Sequence, residues 1–268
     1  MRRGEVQKGS AWALVTGGNS GIGRCYARRL AALGYNLFIA GLNGALNCET
    51  ADEVRAQSGV EVVTMEINLA RTEAAQELYD AVRARGIEVS VLINNAGMFS
   101  FLDVTETPGE RLDRLILLHC YTPTMLCRLF GADMAARGKG HILNMSSYSL
   151  WMPWPGLATY SASKSYLRSF SVAYSKEVQE RGVRVTSVCP AGVATDLYGL
   201  PADLQRLGTR IGVLLTPDSC ARRGLRAMWR GRRNCVPGWW NRLGIPFCVL
   251  MPMFVLRIAR KYTRCLQR

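Results

Sequence analysis

Short apolar runs rich in β-forming residues alternate with longer segments of helical period through most of the chain. The runs that we predict as strands cover residues 12–15, 36–40, 60–67, 89–93, 141–145 and 183–188. The segments between them that we predict as helices cover residues 21–33, 47–57, 72–85, 109–136 and 161–180. Such alternation is typical of a parallel sheet with helices on both faces. The sequence therefore predicts an α/β chain with a doubly wound, Rossmann-type fold and a mostly parallel sheet.

Length and composition are compatible with one such domain. The chain has 268 residues, of which 49% are hydrophobic and 20% charged, and this balance excludes collagen-like, coiled-coil and disordered classes. A sheet covered by helices can reach about 250 residues as one unit. We predict a single domain over residues 1–237, followed by a basic and apolar extension over residues 238–268.

The cysteines and histidines show neither the spacing of a metal site nor that of a disulfide framework. Nine cysteines occur without a C-x-x-C pair, and the two histidines are His119 and His141. This usage is typical of a reduced intracellular protein without bound metal. The apolar stretch 11–15 is too short for a signal peptide or a membrane span. We therefore expect a cytoplasmic protein, and we interpret His141, at the start of a strand, as structural.

A glycine-rich segment separates the first predicted strand from the first predicted helix. Glycines allow a tight turn and let backbone N–H groups approach a pyrophosphate at the positive end of a helix. The spacing G-x-x-x-G-x-G matches the general dinucleotide fingerprint only loosely, but its position after the first strand favours a nucleotide site. The contacts predicted from this segment are Thr16, Gly17, Asn19, Ser20, Gly21, Ile22 and Gly23.

The end of the second predicted strand bears on the choice between NAD and NADP. An acid at this point usually binds the 2′-hydroxyl of the NAD ribose and repels a 2′-phosphate. Here the sequence reads Ala40-Gly41-Leu42-Asn43, and the next acid is Glu49. NADP(H) is therefore favoured over NAD(H), with Asn43 as a contact. Arg24 either reaches the phosphate or is a charge on a helix surface.

A serine, a tyrosine and a lysine form a candidate proton-transfer group. Ser147 follows the fifth predicted strand, and Tyr160 lies one helical turn before Lys164, so the two side chains share a helix face. A free tyrosine has a pKa of about 10, and a nearby ammonium and a positively charged nicotinamide favour its phenolate. Tyr160 can then exchange a proton with a carbonyl oxygen held by the Ser147 hydroxyl.

Together these motifs resemble the short-chain dehydrogenase/reductase family over roughly residues 10–200. The resemblance implies a sheet of about seven strands, hydride transfer with NAD(P), and frequent homodimers or homotetramers. Ser147, Tyr160 and Lys164 take the family's catalytic positions. Within the family, the segments 142–147, 160–164 and 187–197 look most like the 17β-hydroxysteroid dehydrogenase and very-long-chain 3-ketoacyl reductase branch. Further cofactor contacts implied by the resemblance are Asn68, Leu69, Asn95, Ala96, Gly97, Pro190, Val193 and Thr195.

Three positions depart from the family pattern. His119 stands where the family usually has an Asn that supports a water chain to the catalytic lysine. An imidazole also donates and accepts hydrogen bonds, so His119 either replaces that Asn in a catalytic proton relay or is a buried histidine. Ala191 replaces the usual Gly after Pro190, and Asn68 replaces an Asp beside the adenine.

The positive charge is concentrated at the C-terminal end of the chain. Residues 219–268 contain 12 basic residues and no acid, against 22 basic and 20 acidic residues before them. The run 245–256 is apolar but too short to cross a bilayer alone. The tail either contacts an anionic membrane surface or closes a pocket or subunit interface. We predict no nucleic-acid binding, because the tail contains no recognition motif.

The leading prediction is an NADP(H)-dependent oxidoreductase that interconverts a hydrophobic ketone and its alcohol. The ketone is expected to be a steroid or a 3-oxoacyl compound, covered by a lid near residues 196–215. The alternative is a cofactor-binding regulatory or scaffold protein at a membrane surface. His119, Ala191 and the basic tail favour this alternative, whereas intact Ser147, Tyr160 and Lys164 argue against it.

Overall fold

A computed structural model describes residues 4, 6–152 and 154–251 of the chain. Within these residues, seven strands form one sheet in the order β3-β2-β1-β4-β5-β6-β7, and every neighbouring pair is parallel. The predicted doubly wound fold is confirmed. The strands are β1 (Trp12–Thr16), β2 (Asn36–Gly41), β3 (Val62–Glu66), β4 (Val89–Asn94), β5 (Gly140–Met145), β6 (Val183–Val188) and β7 (Asn234–Cys235).

The α-helices of the described residues fill the connections between strands and extend past the last of them. The first six of these nine helices overlap the helical segments predicted from the sequence. The sixth, α6, begins at Ala158, so Tyr160 lies in its first turn. The helices are α1 (Gly21–Ala32), α2 (Gly44–Ser58), α3 (Ala74–Arg83), α4 (Gly109–Ile116), α5 (Thr122–Ala136), α6 (Ala158–Val178), α7 (Ala202–Arg210), α8 (Pro217–Trp229) and α9 (Trp239–Leu250).

Alternating side chains of the central strands supply two apolar cores, one on each face of the sheet. Val15 of β1 points to a core that also contains Leu30 of α1 and Met228 of α8. Its neighbour Leu14 points to the opposite core, with Leu78 of α3 and residues of α5. Successive strand residues face opposite sides of a sheet, so strands covered on both faces must be apolar throughout. This requirement explains why the central strands could be found in the sequence as continuous apolar runs.

The predicted helix 109–136 is one helical segment with a widened turn. A π-helical turn over Leu117–Tyr121 joins α4 to α5. Pro123 has no N–H, and its ring conflicts with the carbonyl four residues earlier, which belongs to His119, so the usual bond cannot form there. By length and composition alone the segment could cross a membrane. Phe130 and Met134, however, are buried against the sheet, and this packing accounts for its apolar character.

Candidate active site

A cleft of about 650 Å³ opens where the carboxyl ends of the central strands meet. Strands β2 and β3 are added on one side of β1, and β4 and the strands after it are added on the other side. The point where the strand order switches in this way is where ligands bind in doubly wound folds. The structure thus brings most predicted site residues into one cleft. Those that line it are Gly17, Asn19, Ser20, Gly21, Ile22, Asn43, Asn68, Leu69, Asn95, Ala96, Gly97, Ser147, Tyr160, Lys164, Pro190, Val193 and Thr195.

Two residues predicted as nucleotide contacts lie behind the glycine loop rather than on its surface. The Thr16 hydroxyl accepts hydrogen bonds from the N–H groups of Asn95 and Ala96, at 3.0 and 3.1 Å. A Cβ on Gly23 would lie 1.9 Å from the Gly17 carbonyl oxygen and 2.5 Å from Nδ2 of Asn95. Asn95 in turn donates from Nδ2 to the Gly17 carbonyl at 3.1 Å. Thr16 and Gly23 therefore shape the loop that faces the cleft.

The part of the cleft beyond β2 contains amide side chains. Asn43 begins α2, where its side chain accepts a hydrogen bond from the N–H of Leu46 at 3.0 Å. Arg24 forms ion pairs with Glu53 at 2.6 Å and Glu49 at 2.9 Å. These carboxylates occupy the guanidinium, so the structure favours the interpretation of Arg24 as a surface charge.

Lys164 is a buried cation beside Tyr160. Its Nζ lies 5.8 Å from the centre of the Tyr160 ring and donates to the Met145 carbonyl at 3.0 Å. Because burial disfavours the charged form, it lowers the pKa of Lys164 to about 8. The ammonium is thus largely charged at neutral pH but loses its proton far more easily than a surface lysine.

Ser147 extends β5 into the cleft on the side of Tyr160. Its Oγ accepts a hydrogen bond from the N–H of Ser149 at 3.1 Å, which fixes the side chain and leaves the hydroxyl proton to be donated. The start of α6 and the end of β5 therefore place a phenol and a second hydroxyl around the same space.

His119 lies beneath the cleft, with a hydrogen bond at each ring nitrogen. Nε2 accepts from the N–H of Met98 at 3.0 Å, so we assign the ring proton to Nδ1, which donates to Ser163 Oγ at 3.0 Å. The Ser163 hydroxyl donates to the Tyr160 carbonyl at 2.7 Å. Burial, and then the charge of Lys164, hold the pKa of His119 well below its ordinary value. The imidazole is therefore neutral and tied to the backbone of both the 97–98 loop and α6.

A buried polar network that the sequence did not reveal joins the elements carrying these groups. Asn94 at the end of β4 donates from Nδ2 to Oδ1 of Asn144 in β5 at 2.8 Å. Asn144 donates from its own Nδ2 to the hydroxyl of Ser171 in α6, also at 2.8 Å. Buried amides bonded in this way fix the relative position of strands and helix. Further cleft residues that sequence reasoning missed include Gly41, Leu42, Met98, Arg114, Ser146, Asp196 and Leu197.

Sequence comparison finds a family and a group of relatives similar to most of this chain. Residues 11–200 match the family described as short chain dehydrogenase. A very-long-chain 3-oxoacyl-CoA reductase of Pyricularia oryzae is 34% identical over 243 residues, which are 88% of this chain and 70% of that protein. The Bos taurus protein of that name is 34% identical over 69% of this chain and 60% of its own. The chain spans about half the length of two further relatives and about three fifths of a third.

Solved structures share the fold. A short-chain dehydrogenase from Sphingobium yanoikuyae in complex with NADPH superimposes with a TM-score of 0.78 at 26% identity, over 90% of this chain and 95% of that one. The bulky-bulky ketone specific alcohol dehydrogenase from Comamonas testosteroni gives 0.76 at 26% identity, over 91% and 94%.

Proposed function

This chain belongs to the short-chain dehydrogenase/reductase family, as its motifs predict, and on that premise we propose that it reduces a hydrophobic ketone with NADPH. The coarser statement, that it is an oxidoreductase of this family, is shown by the match over residues 11–200. The proposal rests above all on one observation, the buried Lys164 ammonium placed beside Tyr160 in the cleft.

The residues present fit a nicotinamide dinucleotide. The glycine loop approaches its neighbours so closely that a Cβ at Gly23 would collide with backbone, and the loop opens α1, whose first N–H groups suit a pyrophosphate. When bound, the dinucleotide supplies the hydride. Its phosphates would be bound by Gly17, Ser20 and Ile22. Its nicotinamide would be bound by Val193 and Thr195 at the other end of the cleft.

Proton transfer falls to the chain's own side chains. The Tyr160 hydroxyl donates its proton to the substrate carbonyl oxygen as that oxygen gains negative charge, and Ser147 donates a hydrogen bond to the same oxygen. The Lys164 ammonium stabilises the phenolate that remains on Tyr160. In the reverse direction the phenolate takes the proton from the alcohol.

We assign His119 to positioning rather than to a proton relay. Its two nitrogens are engaged by Met98 and Ser163, and the imidazole is neutral because burial opposes its charge. Through Ser163 it fixes the carbonyl of Tyr160, and through Met98 it fixes the loop that borders the cleft. A relay would need one of these bonds to break in each cycle.

The surroundings of Tyr160 support an apolar substrate. Met98, Phe99, Phe101 and Trp154 pack around the small core that contains Tyr160, and the Phe99 ring meets the phenol edge-on at 5.1 Å. Helix α7, inside the predicted lid, exposes apolar side chains such as Leu204 and Leu207. A long-chain 3-oxoacyl thioester, or a steroid ketone, suits such a wall.

Turnover on a ketone panel tests this proposal. Purified protein with NADPH is assayed against 3-oxoacyl thioesters of increasing chain length and against steroid ketones. We expect oxidation of NADPH that rises with chain length and falls by at least about 10²-fold in Tyr160→Phe, which removes the acid without changing the ring. NADPH binding without turnover on any ketone would favour the regulatory or scaffold alternative.

A preference for NADPH is supported by the neutral side chain of Asn43, which stands near the position where an acid would repel a 2′-phosphate. Asn43→Asp is a sharp test, because aspartate also caps a helix N-terminus and should keep the bond to Leu46. We expect it to weaken NADPH binding by about tenfold through charge repulsion and to leave NADH binding unchanged. Equal affinities for both cofactors in the unaltered chain would contradict the preference.

Assembly, location and domain division are part of the same proposal. The long helices α5 and α6 are proposed to form a homodimer or homotetramer interface, with exposed Tyr121 and Tyr166 available on this side. We propose a cytoplasmic protein, supported by the free thiols of the described cysteines. A domain over residues 1–237 with an extension from residue 238 agrees with the position of β7, and the residues 252–268 of that extension lie outside the described part.

A further inference from the structure

Helix α9 is an apolar helix with two faces, of which one is turned to the protein. Ile245 and Cys248 pack against a small core containing Tyr148 and Val236, and a Cβ on Gly244 would lie 2.9 Å from the Tyr148 hydroxyl. This contact attaches α9 beside Ser147, the residue that precedes Tyr148. The helix is therefore held beside the segment that carries Ser147.

The opposite face of α9 is apolar and exposed. Residues 239, 243, 247 and 250 recur at intervals of three and four, so they lie along one side of the helix, with residue 240 next to them. These five side chains are between 60% and 78% exposed. They are Trp239, Trp240, Leu243, Phe247 and Leu250.

Arginine side chains lie near the start of this helix. Residues 219–251 contain seven arginines and no acid. Arg242 donates to the Val236 carbonyl at 3.2 Å. The positive charges of Arg223, Arg232 and Arg242 lie close enough to buried Cys235 of β7 to oppose the rise in its pKa that burial causes. The apolar face and the guanidinium groups therefore belong to the same end of the molecule.

We propose that the outer face of α9 inserts into the surface of an anionic lipid bilayer, with Arg223, Arg232 and Arg242 near the headgroups. Trp and Phe on one side of a short helix, next to basic residues, suit the headgroup region of a membrane. A bilayer of anionic lipids complements the sign of this end, whereas a second copy of the chain would bring like charges together. Docking in this way brings the segment that carries Ser147 towards the lipid surface, where an apolar ketone is concentrated.

Vesicle binding by the full chain tests the proposal independently of catalysis. The protein is sedimented with vesicles of phosphatidylglycerol and phosphatidylcholine, and with phosphatidylcholine alone. We expect binding to the anionic vesicles only, and weakening as ionic strength approaches physiological values, where the Debye length shortens to about 8 Å. Trp239→Ser/Trp240→Ser/Phe247→Ser should reduce the apparent affinity by at least about tenfold.

A matched variant removes as many exposed apolar side chains from another helix. Leu204→Ser/Leu207→Ser/Ile211→Ser alters α7 and its end, where these side chains are also exposed, and should bind vesicles like the unaltered chain. Because the α9 substitutions lie on the surface, the thermal midpoint should stay unchanged.

Three results would overturn the proposal. Equal binding by the α9 variant and the unaltered chain would assign any lipid contact to residues 252–268. Equal loss in the α7 variant would show that exposed apolar area in general is responsible. Absence of vesicle binding, together with an oligomer that the α9 variant disperses, would make this face an interface between copies of the chain.

Discussion

The part of the cleft that we propose binds the nucleotide, here the nucleotide half, and the part that we propose carries out proton transfer, the catalytic half, are built in different ways. Around the glycine loop, the shape depends on close backbone approach, as between Gly23 and the Gly17 carbonyl. Around Tyr160, it depends on buried ionisable side chains, chiefly Lys164 and His119, whose pKa values burial lowers. The nucleotide half should therefore respond to added volume and hardly to pH, whereas the catalytic half should respond to pH and to the loss of hydrogen bonds.

Apart from the loss of turnover expected for Tyr160→Phe, the largest effect is expected from added volume in the nucleotide half. Gly23→Ala forces a Cβ against the Gly17 carbonyl oxygen, and we expect NADPH affinity to fall by about 10- to 100-fold. Gly109→Ala is the matched control, since a Cβ there meets nothing within 4 Å. Fluorescence titration with NADPH measures both. Similar losses at the two positions would show that the loop is not built on close approach.

In the catalytic half, His119→Ala should lower kcat by about tenfold, because loss of the ring leaves the Met98 N–H and the Ser163 hydroxyl without their hydrogen-bond partner. His119→Asn should retain most activity, since an amide both donates and accepts. Ser163→Ala cuts the same chain next to Tyr160 and should lower kcat without raising the KM for NADPH. Full activity of the Ser163 variant, with loss in both His119 variants, would favour a relay instead.

The pH dependence of turnover should come from Lys164. Its pKa of about 8 means that the ammonium is present below this pH and is lost as pH rises through it. We expect kcat/KM for ketone reduction to fall about fivefold between pH 8 and pH 9. Lys164→Arg, which keeps its charge at all these pH values, should abolish this limb while lowering the overall rate. A limb unchanged in the arginine variant would assign it to another group.

The smallest effect should appear in stability at mildly acidic pH. The pKa of His119 is lower in the folded state than in the unfolded state, so below about pH 6.5 the unfolded chain binds a proton that the folded chain does not. Stability is therefore lost as pH falls, by about 1 kcal/mol per pH unit. Urea unfolding at pH 7.5 and 5.5 should show this loss to be smaller in His119→Asn, while His141 contributes equally to both proteins.

The parts of the molecule that the sequence predicted correctly are those with strong local signals. The central strands are buried on both faces, and therefore read as apolar runs. Strand β7 is two residues long and shows no periodicity, so only the family resemblance suggested a seventh strand. Helices α7, α8 and α9 were not predicted, because the lid and tail mix apolar, basic and glycine residues without a clear period.

Within the site, contacts between residues that are distant in sequence could not be predicted. The glycine loop, Ser147, Tyr160 and Lys164 follow from spacing, but the bonds of His119 to Met98 and Ser163 join residues 21 and 44 positions away in sequence. Pro123 could have predicted the widened turn, because a proline has no N–H to donate to the carbonyl four residues earlier in a helix. Arg114 reaches the cleft from α4 without any such signal.

The widened turn at Leu117–Tyr121 accommodates one extra residue without changing which face of α5 meets the sheet. It holds one residue more than the α-helical path would, and one residue of offset turns a helix by about 100°. Regular α-helical winding of the same residues would instead turn Phe130 and Met134 of α5 away from the sheet. A further insertion within this turn should therefore be tolerated less well than one in the exposed loop before α4, even though the helix continues on both sides of the turn.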